Sequence, residues 1–599
     1  MKKKVSSIPC LLGRYLMLTL GLVFAACSEN RPEETELLVL YTSDVMNYTL
    51  PYDFLKDCPS DVCLANFSTI VKEQRREYGE NCLVLDNGNK LLGTVPAGYY
   101  NYVDVASEHL AFRTERMIGY DAVGIGDKDL DVSILLDKTR WNPDNQPPVI
   151  CANLVDAASG VPLFQPYKIF ERQGIRIAVL GLVSPNLLPW FPQENRKEVE
   201  LQDMIECAAR WMPVIQQEKP DLVIGLCGAS FRYQDHGEAI DTYKNPNGSV
   251  PTAIRVPGFD LMLMGGTSER EVFEVRNDAG QSVTCIQTGS NSTHCGKIRV
   301  ELTKDADGTY KKRIYADIVD LKQYEPDAEY CKQLEGVKDT LNTWLKNPLG
   351  ELGDTLYGID GFFKADLYRQ IIHRAQLWFT GADVSLASCL IGSDTILPGT
   401  ITPRSLFQIY PYANSLEVME MTGQDILQTL EYTSGLQFET MSSPSDHLLA
   451  LKRDVKGQIV KNIRGEISLA THPRSYTSAA GVRYTVDVSK PVGRRVHILS
   501  MADGTPFDLR KVYKVAINSF QGKDGGQFFS DGLGWDRATI DLHAIPRPQF
   551  SVRYAIQEYV LAMSGEPIRD NHSESWRLIP ESLVAPAIER ERKEPLPAW

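Results

Sequence analysis

The chain has 599 residues, 43% of them hydrophobic and 23% charged, enough apolar material for two packed cores, which excludes a disordered or low-complexity protein. Its net charge of −14 is spread over both halves and no basic cluster follows a groove-like pattern, which excludes a nucleic-acid polymer as partner. An anionic small ligand would need its own local cations.

Lys2, Lys3, Lys4 and Arg14 accompany an apolar run from Tyr15 to Ala25 that is too short to span a bilayer, the pattern of a secretion signal. Phe24-Ala25-Ala26-Cys27 resembles a lipoprotein cleavage box with Phe where Leu is usual. Residues 1–26 are therefore expected to be removed and Cys27 to carry lipid, with 27–35 as a solvated anchor linker. Ser28 argues against an inner-membrane retention signal, so the chain is expected outside the cytoplasm, anchored to the outer membrane and facing the periplasm or the surface. Of the 12 cysteines, Cys10 leaves with the signal and Cys27 is acylated; the others meet an oxidising compartment. Cys58 with Cys63, and Cys285 with Cys295, are close enough in sequence for disulfides, whereas Cys151 and Cys227 sit in apolar runs as buried thiols. None has a zinc-ligand spacing.

From 36 to about 305, short apolar runs alternate with amphipathic stretches. The runs are Leu37–Tyr41, Cys82–Leu85, Ala122–Ile125, Ile175–Leu180, Leu222–Leu226 and Leu261–Met264; helices are predicted over Asn66–Tyr78 and Leu201–Gln217. This is a βαβ pattern with strands buried on both faces, and ligands of such sheets collect at the carboxyl ends of the strands. A connecting helix is predicted over Pro326–Lys346, and the Pro-rich, charged tail from Pro580 to Trp599 reads as a surface strap or disordered end.

The strand ends carry the specific motifs. Tyr41-Thr42-Ser43-Asp44, Asp86-Asn87-Gly88-Asn89 and Gly126-Asp127-Lys128-Asp129-Leu130-Asp131 follow the first three runs. Cys151-Ala152-Asn153-Leu154, Leu226-Cys227-Gly228-Ala229-Ser230 and Gly265-Gly266-Thr267-Ser268-Glu269 come later. In order and spacing the chain resembles the 5'-nucleotidase family, secreted metallophosphatases that include 2',3'-cyclic-nucleotide 2'-phosphodiesterases. The resemblance implies an α/β fold: a calcineurin-like metallophosphoesterase β-sandwich flanked by helices (αββα) over 36–305, a linker and connecting helix over 306–349, an α+β C-terminal domain over 350–578, and a tail over 579–599.

Carried over residue by residue, the family's site is altered. Its first aspartate is Asp44, but the partner histidine is Met46 and the bridging aspartate is Asn89. Asp127 replaces the asparagine, and Lys128 the catalytic histidine, of Gly-Asn-His-Glu. The lone histidine falls at Gly228, and the pair of Gly-His-x-His at Thr267 and Glu269. Two adjacent divalent ions need a bridging carboxylate and imidazoles, both to hold them and to acidify the attacking water. The residual set, Asp44, Asn89, Asp127 and Glu269, is all oxygen and suits at most one hard ion, Mg²⁺ or Ca²⁺. The other reading is that Lys128 fills the cavity and neutralises Asp44 and Asp127. Of the first domain's histidines, His109, His236 and His294, only His236 follows a strand by a loop able to return to the cleft.

The second domain keeps Thr380-Gly381-Ala382-Asp383, Tyr410-Pro411-Tyr412-Ala413-Asn414, Thr422-Gly423-Gln424-Asp425 and Val515-Ala516-Ile517-Asn518-Ser519-Phe520. In the family a base lies between two aromatic rings, matched here by Tyr412 and Phe520, and the implied ligand-binding set is Tyr412, Phe520, Asn414 and Asn518. The ribose and phosphate holders fall near Ser388 and Ser393, Gln527 replaces the aspartate of Gly-Gly-Asp, and Asp524 is inserted before the glycines. The expected function is a non-catalytic envelope lipoprotein that binds a nucleotide or nucleoside, or serves as a scaffold. The alternative is a metal-dependent hydrolase of nucleotide monoesters or 2',3'-cyclic nucleotides at a rearranged oxygen-ligand site.

Overall fold

The computed structural model describes residues 34–132, 143–185, 198–230, 248–305, 307–391, 394–462, 465–547, 550–571 and 575–596. The signal, Cys27, His236 and Ser393 lie outside them, as do the side chains of Asp127 and Asp131.

Strands β1 (Glu34–Thr42), β2 (Cys82–Asp86) and β3 (Ala122–Val123) run parallel, with helices α1 (Leu64–Tyr78) and α2 (Leu110–Ile118) as the crossovers. A second sheet follows, made of β4 (Tyr167–Arg172), β5 (Ile175–Val183), β6 (Leu222–Gly228), β7 (Leu261–Met264), β8 (Arg270–Arg276) and β9 (Ser282–Thr288), with α3 (Met204–Gln217) between β5 and β6. The chain then returns to the first sheet through β10 (His294–Lys304) and β11 (Tyr310–Asp320), so the orders are β11-β10-β1-β2-β3 and β8-β9-β7-β6-β5-β4.

Side-chain alternation along the strands assigns the layers. Leu37, Val39, Tyr41, Leu83 and Leu85 of the first sheet meet Ile177, Val179, Ile224, Leu226 and Leu263 of the second. The alternate residues Leu38, Leu40 and Val84 face α1 and α2, while Leu180, Val223 and Met262 face α3. Strands buried on both faces must be apolar throughout, hence the continuous runs in the sequence. The result is the αββα sandwich that the family resemblance implied. The helices start where polar caps allow: His109 accepts the Ala111 N–H at 3.2 Å to begin α2, and Asp203 accepts those of Ile205 and Glu206 to begin α3.

Three expectations need correction. The ten described cysteines are all free thiols. Cys285 lies on β9 and faces the α3 layer, whereas Cys295 lies on β10 of the other sheet and faces the opposite helical layer; the sandwich holds their sulfurs apart despite the short sequence separation. Cys63 caps α1 by accepting the Ala65 N–H, while Cys58 sits in a short hairpin. The segment read as a linker begins with β11, which pairs with β10 over its whole length. The connecting helix is two, α4 (Ala328–Gln333) and α5 (Glu335–Leu345), broken at Leu334, whose side chain is buried in the first core.

The second domain contains α6 (Leu367–Thr380), β12 (Val384–Ser388), α7 (Pro403–Ile409), β13 (Leu416–Thr422), α8 (Gly423–Gln437), β14 (Thr477–Ala480), β15 (Val482–Asp487), β16 (Val496–Met501), β17 (Val512–Asn518), α9 (Ser519–Gly522), β18 (Trp576–Ile579) and α10 (Glu581–Glu591). Its sheets have the orders β13-β17-β12-β14 and β16-β15-β18. The tail is a strap packed into the core: Val584, Ala587 and Leu596 are buried there, and Glu591 accepts the N–H groups of Leu448 and Leu449. An aromatic seam joins the domains, with Trp344 of α5 lying 5.2 Å from Tyr99 and 6.3 Å from Phe407 of α7, and an ion pair between Arg404 and Asp57 at 2.9 Å beside it.

Candidate functional site

At the carboxyl ends of β1 and β2 the backbone is strained. Asp44, Met46, Asn47 and Asn89 have φ of 52°, 49°, 58° and 59°, in the left-handed region that non-glycine residues seldom occupy. Cross-links hold them there: Asp44 N–H donates to Gly88 O at 3.0 Å and Met46 N–H to Asn89 O at 2.8 Å. This directs the Asp44 and Asn89 side chains at each other.

Asn89 Nδ2 donates to Asp44 Oδ1 at 2.5 Å, while Asn89 Oδ1 accepts the Lys128 N–H at 2.7 Å. The network sets the amide orientation, because the reverse would face oxygen with oxygen and N–H with N–H. The other Asp44 oxygen accepts from Ser43 Oγ at 2.6 Å and from Gly266 N–H at 2.8 Å. Gly265 permits this approach; a Cβ there would stand 2.2 Å from Ser43 Oγ and 3.0 Å from Asp44 Oδ2. Asp44 and Asn89 are both buried.

At Gly228, where the resemblance leads one to expect the lone histidine, a Cβ would stand 2.0 Å from the carbonyl oxygen of Ile125 and 3.2 Å from Gly126 Cα. The neighbouring strand end occupies that space, so no side chain fits. Thr267 accepts from Gln287 Nε2 and from the Glu269 N–H, which commits it to shaping its own turn. His109 is the buried cap of α2, and His294 contacts the exposed Arg270 at 2.6 Å. Among the described residues no three His, Cys, Asp or Glu side chains converge as a metal site.

Two features behind the strand ends escaped the sequence reading. Asp129 accepts the N–H groups of Asn89, Lys90, Leu91 and Gly126 at 2.6, 2.8, 3.0 and 3.1 Å, tying the β2 and β3 loops together. Lys90, which precedes Leu91-Leu92, turns into the layer under α2 and pairs with Glu115, both almost fully buried. Its ammonium lies 5.7 Å from the Phe112 ring. Little in the sequence signals the pair, because Lys90 follows the polar stretch Asp86-Asn87-Gly88-Asn89 and Glu115 stands between Thr114 and Arg116.

Beside this pair, Asp86 accepts from Thr42 Oγ1 at 2.6 Å and from Gly88 N–H at 2.8 Å, and Tyr120 OH lies 2.7 Å from Thr42 Oγ1. Burial pushes the Asp86 carboxyl up to about 7, against the pull of Lys90. A carboxyl raised in the folded state binds protons that the unfolded chain releases. Its contribution is present below the unfolded value near 4 and is lost as pH rises toward 7. Urea denaturation across pH 4–8 is expected to show this decline, and Asp86→Asn to flatten it; an unchanged profile in the variant would refute the assignment.

In the second domain, Ser415 N–H donates to Ser519 Oγ at 3.0 Å and Ser519 N–H to Ser415 O at 2.8 Å, just beyond the Leu416 to Asn518 pairing of β13 with β17. This draws the Tyr412 and Phe520 segments to one sheet end. Asn518 is buried and caps α9, accepting the Gln521 N–H at 3.1 Å and donating to Gln521 Oε1 at 2.9 Å. Asn414 Nδ2 donates to Tyr410 OH at 3.1 Å. Tyr412, 38% exposed, lines an open cavity of about 810 Å³ with Leu390, Ile391, Leu397, Phe407 and Pro411. Ser388 is buried against Thr477, and Asp524 accepts the N–H groups of Phe529 and Ser530; both are structural contacts.

Residues 362–531 match the family model described as the 5'-nucleotidase, C-terminal domain. A 2',3'-cyclic-nucleotide 2'-phosphodiesterase/3'-nucleotidase of Yersinia enterocolitica is 22% identical, covering 85% of this chain and 84% of its own. Among solved structures, a Staphylococcus aureus protein assigned as a 5'-nucleotidase superposes with a TM-score of 0.68 at 18% identity, over 91% of this chain and 100% of its own. A 5'-nucleotidase precursor of Thermus thermophilus gives 0.53 at 18% identity, over 91% and 100%. These likenesses extend through both domains and agree on the fold.

Proposed function

We propose that this chain, which belongs to the 5'-nucleotidase family, is a non-catalytic member that has lost the dinuclear metal centre and binds a nucleotide or nucleoside in its second domain. The observation that carries the reading is the direct contact of Asn89 with Asp44. An amide N–H donates directly to the carboxylate, so protein hydrogen bonds satisfy the buried aspartate. The donor set does not fit a two-ion centre: imidazole is absent from the aligned positions, both Asp44 oxygens accept hydrogen bonds, and the Gly228 position admits no side chain. The fold by itself supplies no hydrolytic step, because chemistry belongs to the site and not to the fold. The base clamp is supported by the convergence of the Tyr412 and Phe520 segments on one sheet end, since an aromatic face accepts any base by stacking. The proposal includes an envelope location with Cys27 as lipid anchor, on the strength of Phe24-Ala25-Ala26-Cys27; no helix among the described residues is long and apolar enough to cross a membrane.

Metal analysis of the purified protein, together with hydrolysis of 2',3'-cyclic AMP and of AMP with and without Mg²⁺, Mn²⁺ or Zn²⁺, tests the proposal. The expected result is no bound transition metal and no turnover above background. Metal-dependent turnover abolished by Asp44→Ala would establish the hydrolase instead.

A further inference from the structure

We infer that Arg474 makes the aromatic site of the second domain selective for an anionic ligand, a nucleotide over a nucleoside. The inference rests on the clamp reading of Tyr412 and Phe520 and names the ligand class of that site. The Arg474 guanidinium stands 5.9 Å from the centre of the Phe520 ring, within the range over which a cation and an aromatic face attract. Arg474 is exposed, and among the described residues it has no carboxylate partner. In a chain of net charge −14, such an arginine keeps its planar fork of donors available for a phosphate.

The pair is held by a built framework. His472 Nδ1 accepts the Arg474 N–H at 3.3 Å in the turn Pro473–Ser475, and the turn ends on the fully buried Tyr476. The next residue, Thr477 at the start of β14, accepts from Gln521 Nε2 at 2.7 Å. Gln521 belongs to α9, as does Phe520, and is itself fixed by Asn518. Gly525 lies so close to the Phe520 ring that a Cβ there would approach it at 2.6 Å, which limits movement of the ring. One short path of buried side chains therefore sets the spacing of cation and ring before any ligand arrives, and preorganisation of this kind lowers the entropy lost on binding. A ligand ring against Phe520 would bring its phosphate to Arg474, where two N–H donors reach two oxygens. This supplies the cation that Ser388, buried against Thr477, cannot provide.

Calorimetry on the full chain with adenosine and AMP, for the wild type, Arg474→Ala, Arg474→Lys and Phe520→Ala, tests the inference. AMP is expected to bind about tenfold more tightly than adenosine, and the ratio to fall to about one in Arg474→Ala. Arg474→Lys should retain part of the preference, since a point charge attracts phosphate without the bidentate fork. Equal binding of the two probes by the wild type, or a preference that survives Arg474→Ala, overturns the role of Arg474 and leaves the clamp standing. No heat with either probe overturns the clamp and the inference together.

Discussion

Asn89→Asp is expected to destabilise the first domain by about 2–4 kcal/mol at neutral pH, the range for a buried charge left without its partner. The substitution changes one amide into a carboxylate, replacing the N–H that donates to Asp44 by an oxygen at the same short distance. Two adjacent buried carboxylates cannot both ionise, so one is forced to hold a proton. A carboxyl raised in this way contributes stability below its unfolded value and loses it as pH rises, so the deficit should shrink toward pH 5. The measurement is urea denaturation of wild type and variant at pH 5 and 7.5, each with EDTA and with Mn²⁺ or Ca²⁺. Rescue of the variant by a divalent ion, accompanied by phosphoester hydrolysis, would mean that the cavity still seats a catalytic cation and that a single amide had silenced it. Loss without rescue is the expected outcome, because the space at Gly228 is taken by the Ile125 carbonyl.

Breaking the pair under α2 is expected to have the other large effect. Lys90→Ala should lower stability by about 3–5 kcal/mol, since it leaves Glu115 buried without its cation beside Asp86. Lys90→Met with Glu115→Leu should recover most of that loss, because two apolar side chains of similar volume need no mutual neutralisation. A double-mutant cycle by chemical denaturation measures the coupling. A single-variant effect under about 1 kcal/mol would show that the pair is solvated. The pair matters to the site because the backbone of Lys90 is also tied to Asp129, so disorder beneath α2 would spread to the strained loop carrying Asn89.

Much of the fold was legible from residues alone. Leu37–Tyr41, Cys82–Leu85 and Leu222–Leu226 are apolar at every position, which only a strand covered on both faces requires, and the amphipathic segments between them had to be the covering helices. The boundaries were less legible: β11 has an alternating, half-polar pattern suited to an exposed edge, so its membership of the first sheet depends on pairing with β10 and on no local signal. The cysteines failed for a related reason, as separation along the chain does not report which sheet, or which face, a sulfur joins.

The same division holds at the site. Which residue types stand at the strand ends is a property of the sequence, because Met46, Asn89, Gly228 and Thr267 carry no imidazole in any conformation. How the remaining atoms are satisfied was decided by the tertiary structure. Asn89 meets Asp44, Asp129 gathers four backbone N–H groups, Lys90 turns to Glu115, and Arg474 reaches Phe520. Apart from Asp129 with Gly126, these contacts join loops to other loops or to helices distant in sequence, and hydrogen bonds and ion pairs depend on distances of a few ångströms that only packing can set.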